Sequence, residues 1–128
     1  DEVDREGVRI AVTEQSAYGL YLVRTVKRAK LVLTKTGEGA VQAFVNDKLE
    51  ALAGLRPGLL TEVQKLPGAR VLDGQFTAVQ QAVGTAKNRE AAAQYLRGFV
   101  EDVKAAGLVA EAIARNGVQG VSVAPAAR

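Results

Sequence analysis

A strand that runs directly into a helix is the feature that most constrains this chain. From Val8 to Val12, β-branched apolar side chains alternate with other residues, which is the two-residue period of a β-strand. After the polar run Thr13–Ser16, apolar residues return at helical spacing from Tyr18 onward. Ser16 is a suitable N-cap, because its hydroxyl oxygen can accept an unpaired backbone N–H of the first turn. Such a unit directs N–H groups and the positive helix end at one spot that suits a carboxylate or phosphate, although an ordinary β–α connection has the same pattern.

The same alternation of strand and helix continues through the first 72 residues. Short apolar runs predict three more strands at Leu31–Thr34, Leu49–Leu55 and Arg70–Leu72. Helical spacing predicts one helix around Ala40–Val45 and another that begins at Pro57. The order predicts an α/β fold with a mostly parallel open sheet of four to five strands flanked by helices. Ligands of such sheets bind beyond the carboxyl ends of the strands, where the loops 13–16, 35–39 and 54–57 should meet.

The pattern changes after Gly74. An extended segment, Phe76–Val83, precedes a long amphipathic helix from about Arg89 to Ala106 and a short helix that ends at Asn116-Gly117. The apolar stripe of the long helix has five members: Ala92, Leu96, Phe99, Val100 and Val103. Two consecutive helices do not continue a β–α alternation, so we expect them to cover a further apolar surface.

Composition narrows the possible functions. The chain of 128 residues has a net charge of +3 and contains neither His nor Cys. Cysteine nucleophiles, histidine acid–base catalysis and Cys/His zinc sites are therefore excluded, and we expect no enzyme, no metal and no cofactor. The basic residues Arg24, Lys27, Arg28 and Lys30 fit a solvated helix end better than a nucleic-acid surface, so we expect no nucleic acid as a partner.

From about Gly7 to Gly117 the chain resembles the carboxyl-terminal half of a bacterial extracellular solute-binding protein of family 3. This is the type 2 periplasmic binding protein of an ABC importer. No single motif carries the resemblance, which depends on the order and spacing of short segments. These segments are Gly7–Val12 with Ser16–Tyr18, Leu52–Pro57, Arg70–Gly74 and Ala78–Val83, followed by one long and one short helix.

The resemblance implies a domain organisation and a function. Residues 1–75 would be the second lobe, and residues 76–128 would be a hinge strand and two helices that pack on a first lobe, most of which would precede Asp1. The implied function is the binding of a small polar or anionic solute, such as an amino-acid-like compound, in a cleft between lobes. The implied partners are the solute and the importer's membrane subunits, and the implied location is the periplasm.

The resemblance also implies the site residues. Members of the family that bind amino acids commonly receive the solute carboxylate at the loop and helix start that correspond to Gln15, Ser16, Ala17 and Tyr18. They hold the ammonium group with an Asp at the position of Gly54, next to which this chain has Arg56. An uncharged residue beside an arginine fits an anion better than an ammonium group. Arg56 is equally compatible with a surface role before Pro57.

Two other classes of function are compatible with the sequence. The exposed stripe of the long helix predicts a homodimer, with the helices of Arg89–Gly117 exchanged between chains as one form of it. The effector-sensing domain of a transcription regulator shares the two-lobe topology and is the other alternative.

Overall fold

The computed structural model describes residues 3–127. In chain order the elements are β1 (Arg9–Thr13), α1 (Ala17–Thr25), β2 (Lys30–Thr34), α2 (Gly37–Asn46), β3 (Ala51–Leu52), α3 (Arg56–Val63), α4 (Glu90–Ala105) and α5 (Leu108–Arg115). The α/β class predicted from the sequence is therefore confirmed.

The described residues form one open sheet of three parallel strands in the order β2-β1-β3. Strand β1 is central and pairs over its full length with β2, from Arg9 opposite Lys30 to Thr13 opposite Thr34. Its pairing with β3 is short and covers only Ile10 and Ala11. Because the strands are parallel, β1 and β2 end together, and their following loops leave from one edge.

Helices cover both faces of this sheet. On one face Ile10 and Val12 pack with Leu22 of α1, and Val12 is the largest side chain that is fully buried. On the other face Ala11 packs with Ala40 of α2 and with Leu49. Successive residues of β1 thus point to opposite faces, and both faces are apolar, as is typical of a central parallel strand.

An ion pair holds β1 against the segment that leads into β3. The guanidinium of Arg9 donates from Nε and Nη2 to the two carboxylate oxygens of Glu50, at 3.0 and 2.7 Å. The backbone N–H of Arg9 also donates to Glu50, and Nη2 donates to the carbonyl of Lys48 at 2.8 Å. The hydrogen bond from the Arg9 side chain is the main reason that the pKa of Glu50 is lowered to about 2.

The predicted number of strands was wrong, since the described residues contain three strands and not four to five. Arg70–Leu72 and the segment 76–83 have no strand pairing. The carbonyl of Leu72 accepts a hydrogen bond at 3.0 Å from Nη2 of Arg56, which also donates to the carbonyl of Gly74. The carbonyl at the end of this predicted strand is therefore bound by an arginine side chain and not by a neighbouring strand.

The three later helices lie outside the core. None of the residues of α3, α4 or α5 is buried, and α4 packs on α5. The long and the short helix predicted after residue 88 are confirmed as α4 and α5. Among residues 3–127, no helix is both long and apolar enough to cross a membrane.

Candidate functional site

The predicted anion site begins at the end of β1, where one hydroxyl organises the turn into α1. Ser16 is the N-cap of α1, as predicted: its Oγ accepts from the backbone N–H of Gly19 at 2.9 Å and donates to the carbonyl of Thr13 at 2.7 Å. The hydroxyl of Tyr18 donates to Oγ1 of Thr13 at 3.3 Å. Gln15 has a left-handed backbone with φ of 59°, which allows the chain to turn within two residues of the strand.

The end of β2 repeats this arrangement. Thr36 is the N-cap of α2, and its Oγ1 accepts from the backbone N–H of Gly39 at 3.0 Å. Oγ1 of Thr34 lies 3.3 Å from the carbonyl of Val12 and 3.0 Å from that of Thr36, so it connects the end of β1 to the new loop. In both units a threonine ends the strand, a hydroxyl caps the helix, and a glycine stands three residues after the cap.

The two helix starts face the same edge of the sheet. The backbone N–H of Glu14 donates to the carbonyl of Thr34 at 2.8 Å, which fixes the first loop to the end of β2. Among residues 3–127, the backbone N–H groups of residues 15, 17 and 18 have no hydrogen-bond acceptor, whereas Ser16 ends the turn that follows β1. Three donors and the positive end of the α1 dipole are therefore open to water or to a ligand, as at other helix starts.

Charged side chains at this edge are of both signs. Glu14 lies in the first loop, Lys35 in the second, and Glu38 in the first turn of α2. Glu38 is favourable where it stands, since an acid near a helix start interacts well with the dipole. The carboxylate of Glu38 accepts a hydrogen bond at 3.4 Å from Nε2 of Gln42, one turn later in α2.

Gly54 and Arg56, the other two predicted site residues, have contacts with the protein itself. A Cβ at Gly54 would lie 3.2 Å from the Leu59 side chain, so the glycine allows α3 to approach the chain closely. The Arg56 guanidinium binds the carbonyls of Leu72 and Gly74, and its aliphatic part lies against Gly120, where a Cβ would be 2.5 Å from its Cγ. Contact of either residue with a solute stays a prediction.

The sequence analysis placed the loop 35–39 at this edge but did not name Thr36 and Gly39, or Thr34 before them, as site residues. The signal was present, because Thr13–Gly19 and Thr34–Gly39 share the order of strand-ending threonine, hydroxyl cap and glycine. This shared order is hard to see because the loop between threonine and cap is one residue longer after β1 than after β2. Among the described residues, no group of three His, Cys, Asp or Glu side chains could hold a metal ion.

Comparisons of the chain with protein-family models, with curated proteins and with solved structures found no match.

Proposed function

We propose that the chain binds a small anionic or polar solute at the edge where β1 and β2 end, and that it does so as the second lobe of a solute-binding protein of an ABC importer. One observation carries the binding proposal: two helices capped by hydroxyl residues begin side by side on adjacent parallel strands. The free N–H groups and the positive dipole ends of α1 and α2 both point to the space beyond the carboxyl ends of β1 and β2. The importer and the periplasmic location come from the sequence resemblance alone.

The chemistry of the edge favours a carboxylate. Each helix start carries roughly half a positive charge on its unpaired N–H groups, and an anion within the first turn gains about 0.3–1 kcal/mol from that charge. The N–H groups of residues 15, 17 and 18 add directional donors, and the hydroxyls of Thr13 and Tyr18 lie close to this turn. Repulsion from Glu14 and Glu38 restricts the total negative charge that the edge accepts, which favours one carboxylate over phosphate.

The proposed role is binding and not catalysis. The hydroxyls at the edge belong to Thr13, Ser16, Tyr18, Thr34 and Thr36, and the chain has no His to activate any of them as a nucleophile. The hydroxyl of Ser16 is further committed to the carbonyl of Thr13 and the N–H of Gly19.

The edge is one wall of a binding cleft, so its affinity alone should be low. Tight binding in a two-lobe protein requires closure of the first lobe and the second lobe around the solute. Few contacts on an open surface correspond to a dissociation constant of about 1 mM or weaker. We therefore expect calorimetry of residues 1–128 to show no micromolar binding of any common amino acid, and micromolar binding would contradict the one-wall proposal.

A backbone substitution tests the site directly. Ala17 is the first residue of α1, where proline is tolerated, and Ser16 before it has the extended backbone (φ −73°, ψ 153°) that a following proline requires. Ala17→Pro therefore removes one N–H donor and keeps the helix. In an NMR titration with millimolar L-glutamate, we expect amide shifts at Gln15, Ser16 and Tyr18 that become at least threefold weaker in this variant.

The control is Glu90→Pro at the first position of α4, where Arg89 has φ of −125° and ψ of 63° and must become more extended to precede a proline. Circular dichroism should show that α4 is kept in this variant. The variant should leave the titration unchanged. Equal shifts in the wild type and in Ala17→Pro, or shifts that fall on α3 and not on α1, would contradict the proposed site.

A further inference from the structure

The end of the described chain forms a loop that touches three helices. Residues 118–127 leave the end of α5 without forming a helix or strand, and their far end lies beside α4. In the middle of this tail, Gly120 lies against Arg56 of α3. Both ends of the tail therefore lie on the pair α4–α5, and its middle lies on the α/β unit, which comprises β1 to α3.

Two side chains of α4 hold the backbone at the far end of the tail. Nζ of Lys104 donates to the carbonyl of Pro125 at 2.9 Å and to Oε1 of Glu101 at 2.7 Å. The other carboxylate oxygen of Glu101 accepts from the backbone N–H of Ala127 at 3.2 Å. The pKa of Glu101 is lowered, first by the hydrogen bond from Lys104 and second by that from Ala127. The pair thus binds one carbonyl and one N–H of an extended segment.

A comparison with α3 shows how far the tail covers this pair. Glu62 and Lys65 of α3 have the same i, i+3 spacing and an N–O distance of 2.9 Å, but the Lys65 side chain is 63 % exposed, as against 13 % for Lys104. Val123 of the tail is half-buried and shares a hollow of about 210 Å³ with Lys104. The ammonium group of Lys104 is thus enclosed between helix and tail, where its hydrogen bonds are less screened by water.

The middle of the tail is fitted to the side chain of Arg56. Gly120 has a left-handed backbone with φ of 79°, and a Cβ there would lie 2.5 Å from Cγ of Arg56 and 2.9 Å from its Cδ. The guanidinium beyond this stem donates to the carbonyls of Leu72 and Gly74. Arg56 is therefore held at its charged end by the segment that follows α3, and the tail crosses its aliphatic stem.

We propose that residues 118–127 act as a clasp: closed on α4 by Glu101 and Lys104, the tail fastens the pair α4–α5 to Arg56, and when it opens the pair moves away from the α/β unit. The helices themselves do little to prevent this movement, because none of their residues is buried. Residues 64–89, which join the pair to α3, contain no helix or strand. Opening breaks hydrogen bonds at the surface and no apolar core, so the open state is accessible from the folded chain.

The distance between two spin labels measures the position of the pair. The chain contains no Cys, so Val23→Cys on the exposed side of α1 and Glu111→Cys on α5 place one label on each part. An excess of unlabelled protein removes distances between chains. We expect pulsed electron paramagnetic resonance to give one dominant narrow distance distribution, which represents the closed clasp.

Substitution of Gly120 opens the middle of the clasp. Gly120→Ala places a Cβ against the stem of Arg56, and we expect the broad, open component of the distribution to rise about tenfold. Gly68→Ala in the loop after α3 is the matched control, because Gly68 has a similar φ of 84° but a Cβ there meets nothing within 4 Å. It introduces similar backbone strain outside the clasp and should leave the distribution unchanged.

Removal of the ammonium group of Lys104 opens the far end. Lys104→Met keeps the aliphatic stem and leaves the carbonyl of Pro125 without this donor, so the open component should again rise about tenfold. The matched control is Lys65→Met, which breaks the exposed pair with Glu62 on α3 and should change little. Circular dichroism should show the same helix content in all four variants.

Three outcomes would overturn the proposal. The first is a broad distribution in the labelled chain without further substitutions, since the tail would then not hold the pair. The second is a narrow distribution that persists in both Gly120→Ala and Lys104→Met, because another contact would then hold it. The third is equal broadening in Gly68→Ala or Lys65→Met. The clasp does not rest on the proposed solute site: Ala17→Pro should keep the narrow distribution, so the two proposals can fail independently.

Discussion

Replacing Gly19 by alanine should destabilise the core, although alanine is normally the better helix residue. A Cβ at Gly19 would lie 2.3 Å from the carbonyl oxygen of Thr13 and 2.8 Å from Oγ of Ser16. Relief requires α1 to move about 1 Å away from β1, and such overpacking costs about 1–3 kcal/mol. The shift also weakens the Ser16 cap, which contributes about 1 kcal/mol. Alanine regains about 1 kcal/mol of helix propensity, so the free energy of unfolding should fall by about 2 kcal/mol.

Gly58 provides a matched control, because it has the same position in α3 that Gly19 has in α1. A Cβ there meets nothing within 4 Å, so Gly58→Ala should leave stability unchanged or raise it by up to about 1 kcal/mol. Urea unfolding followed by the near-ultraviolet signal of the half-buried Tyr18 and Tyr21 reports on the core. We expect the midpoint of Gly19→Ala to fall by about 1 M. Equal midpoints for the two glycine variants would refute the close approach of α1 to the Thr13 carbonyl.

Two further predictions concern the centre of the sheet and its ion pair. Because the folded pKa of Glu50 is about 2, below its ordinary value of 4.5, its stabilising effect is complete above about pH 5 and is lost as the pH falls toward 2. Thermal midpoints measured from pH 7 to pH 2 should therefore fall less steeply in Glu50→Gln, and parallel curves would contradict the Arg9 contact. Val12→Ala removes two methyl groups from a fully buried site, and we expect calorimetry to show a loss of about 2–3 kcal/mol, with Val23→Ala on the exposed side of α1 as control.

Local signals in the sequence were sufficient for much of the fold. The alternation from Val8 to Val12 identified the central strand, and the hydroxyl of Ser16 identified the start of α1, because both depend on residues within a few positions of each other. The helix around Ala40–Val45 and the helix from Pro57 were found for the same reason, and in the structure they begin at Gly37 and Arg56. The alternating order of strands and helices also predicted that the first two β–α loops lie at one edge of the sheet, beyond the carboxyl ends of the strands.

The predictions that failed depended on distant partners. Arg70–Leu72 has the residues of a strand, but Arg56, 16 positions earlier than Leu72, binds its carbonyl. The third strand was predicted over Leu49–Leu55 and is only Ala51–Leu52; the N–H of Ala53 still donates to the carbonyl of Ala11, and Gly54 after it packs on Leu59. Neither contact leaves a periodic signal in the chain, so pattern alone could not find it.

The spacing of three glycines indicates where a solute site can form. Gly19, Gly39 and Gly58 each stand three residues after a helix cap, and a Cβ at these positions would have its nearest neighbour at 2.3 Å, at 3.2 Å and beyond 4 Å, respectively. The first helix start is thus pressed most closely against the sheet, and the third is not. Backbone N–H groups that bind the same solute oxygen must be held in fixed positions. A closely packed helix start holds its N–H groups more rigidly than a loosely packed one. The geometry therefore favours a site centred on β1 and β2, with residues 15, 17 and 18 as its donors, over one that extends to Arg56.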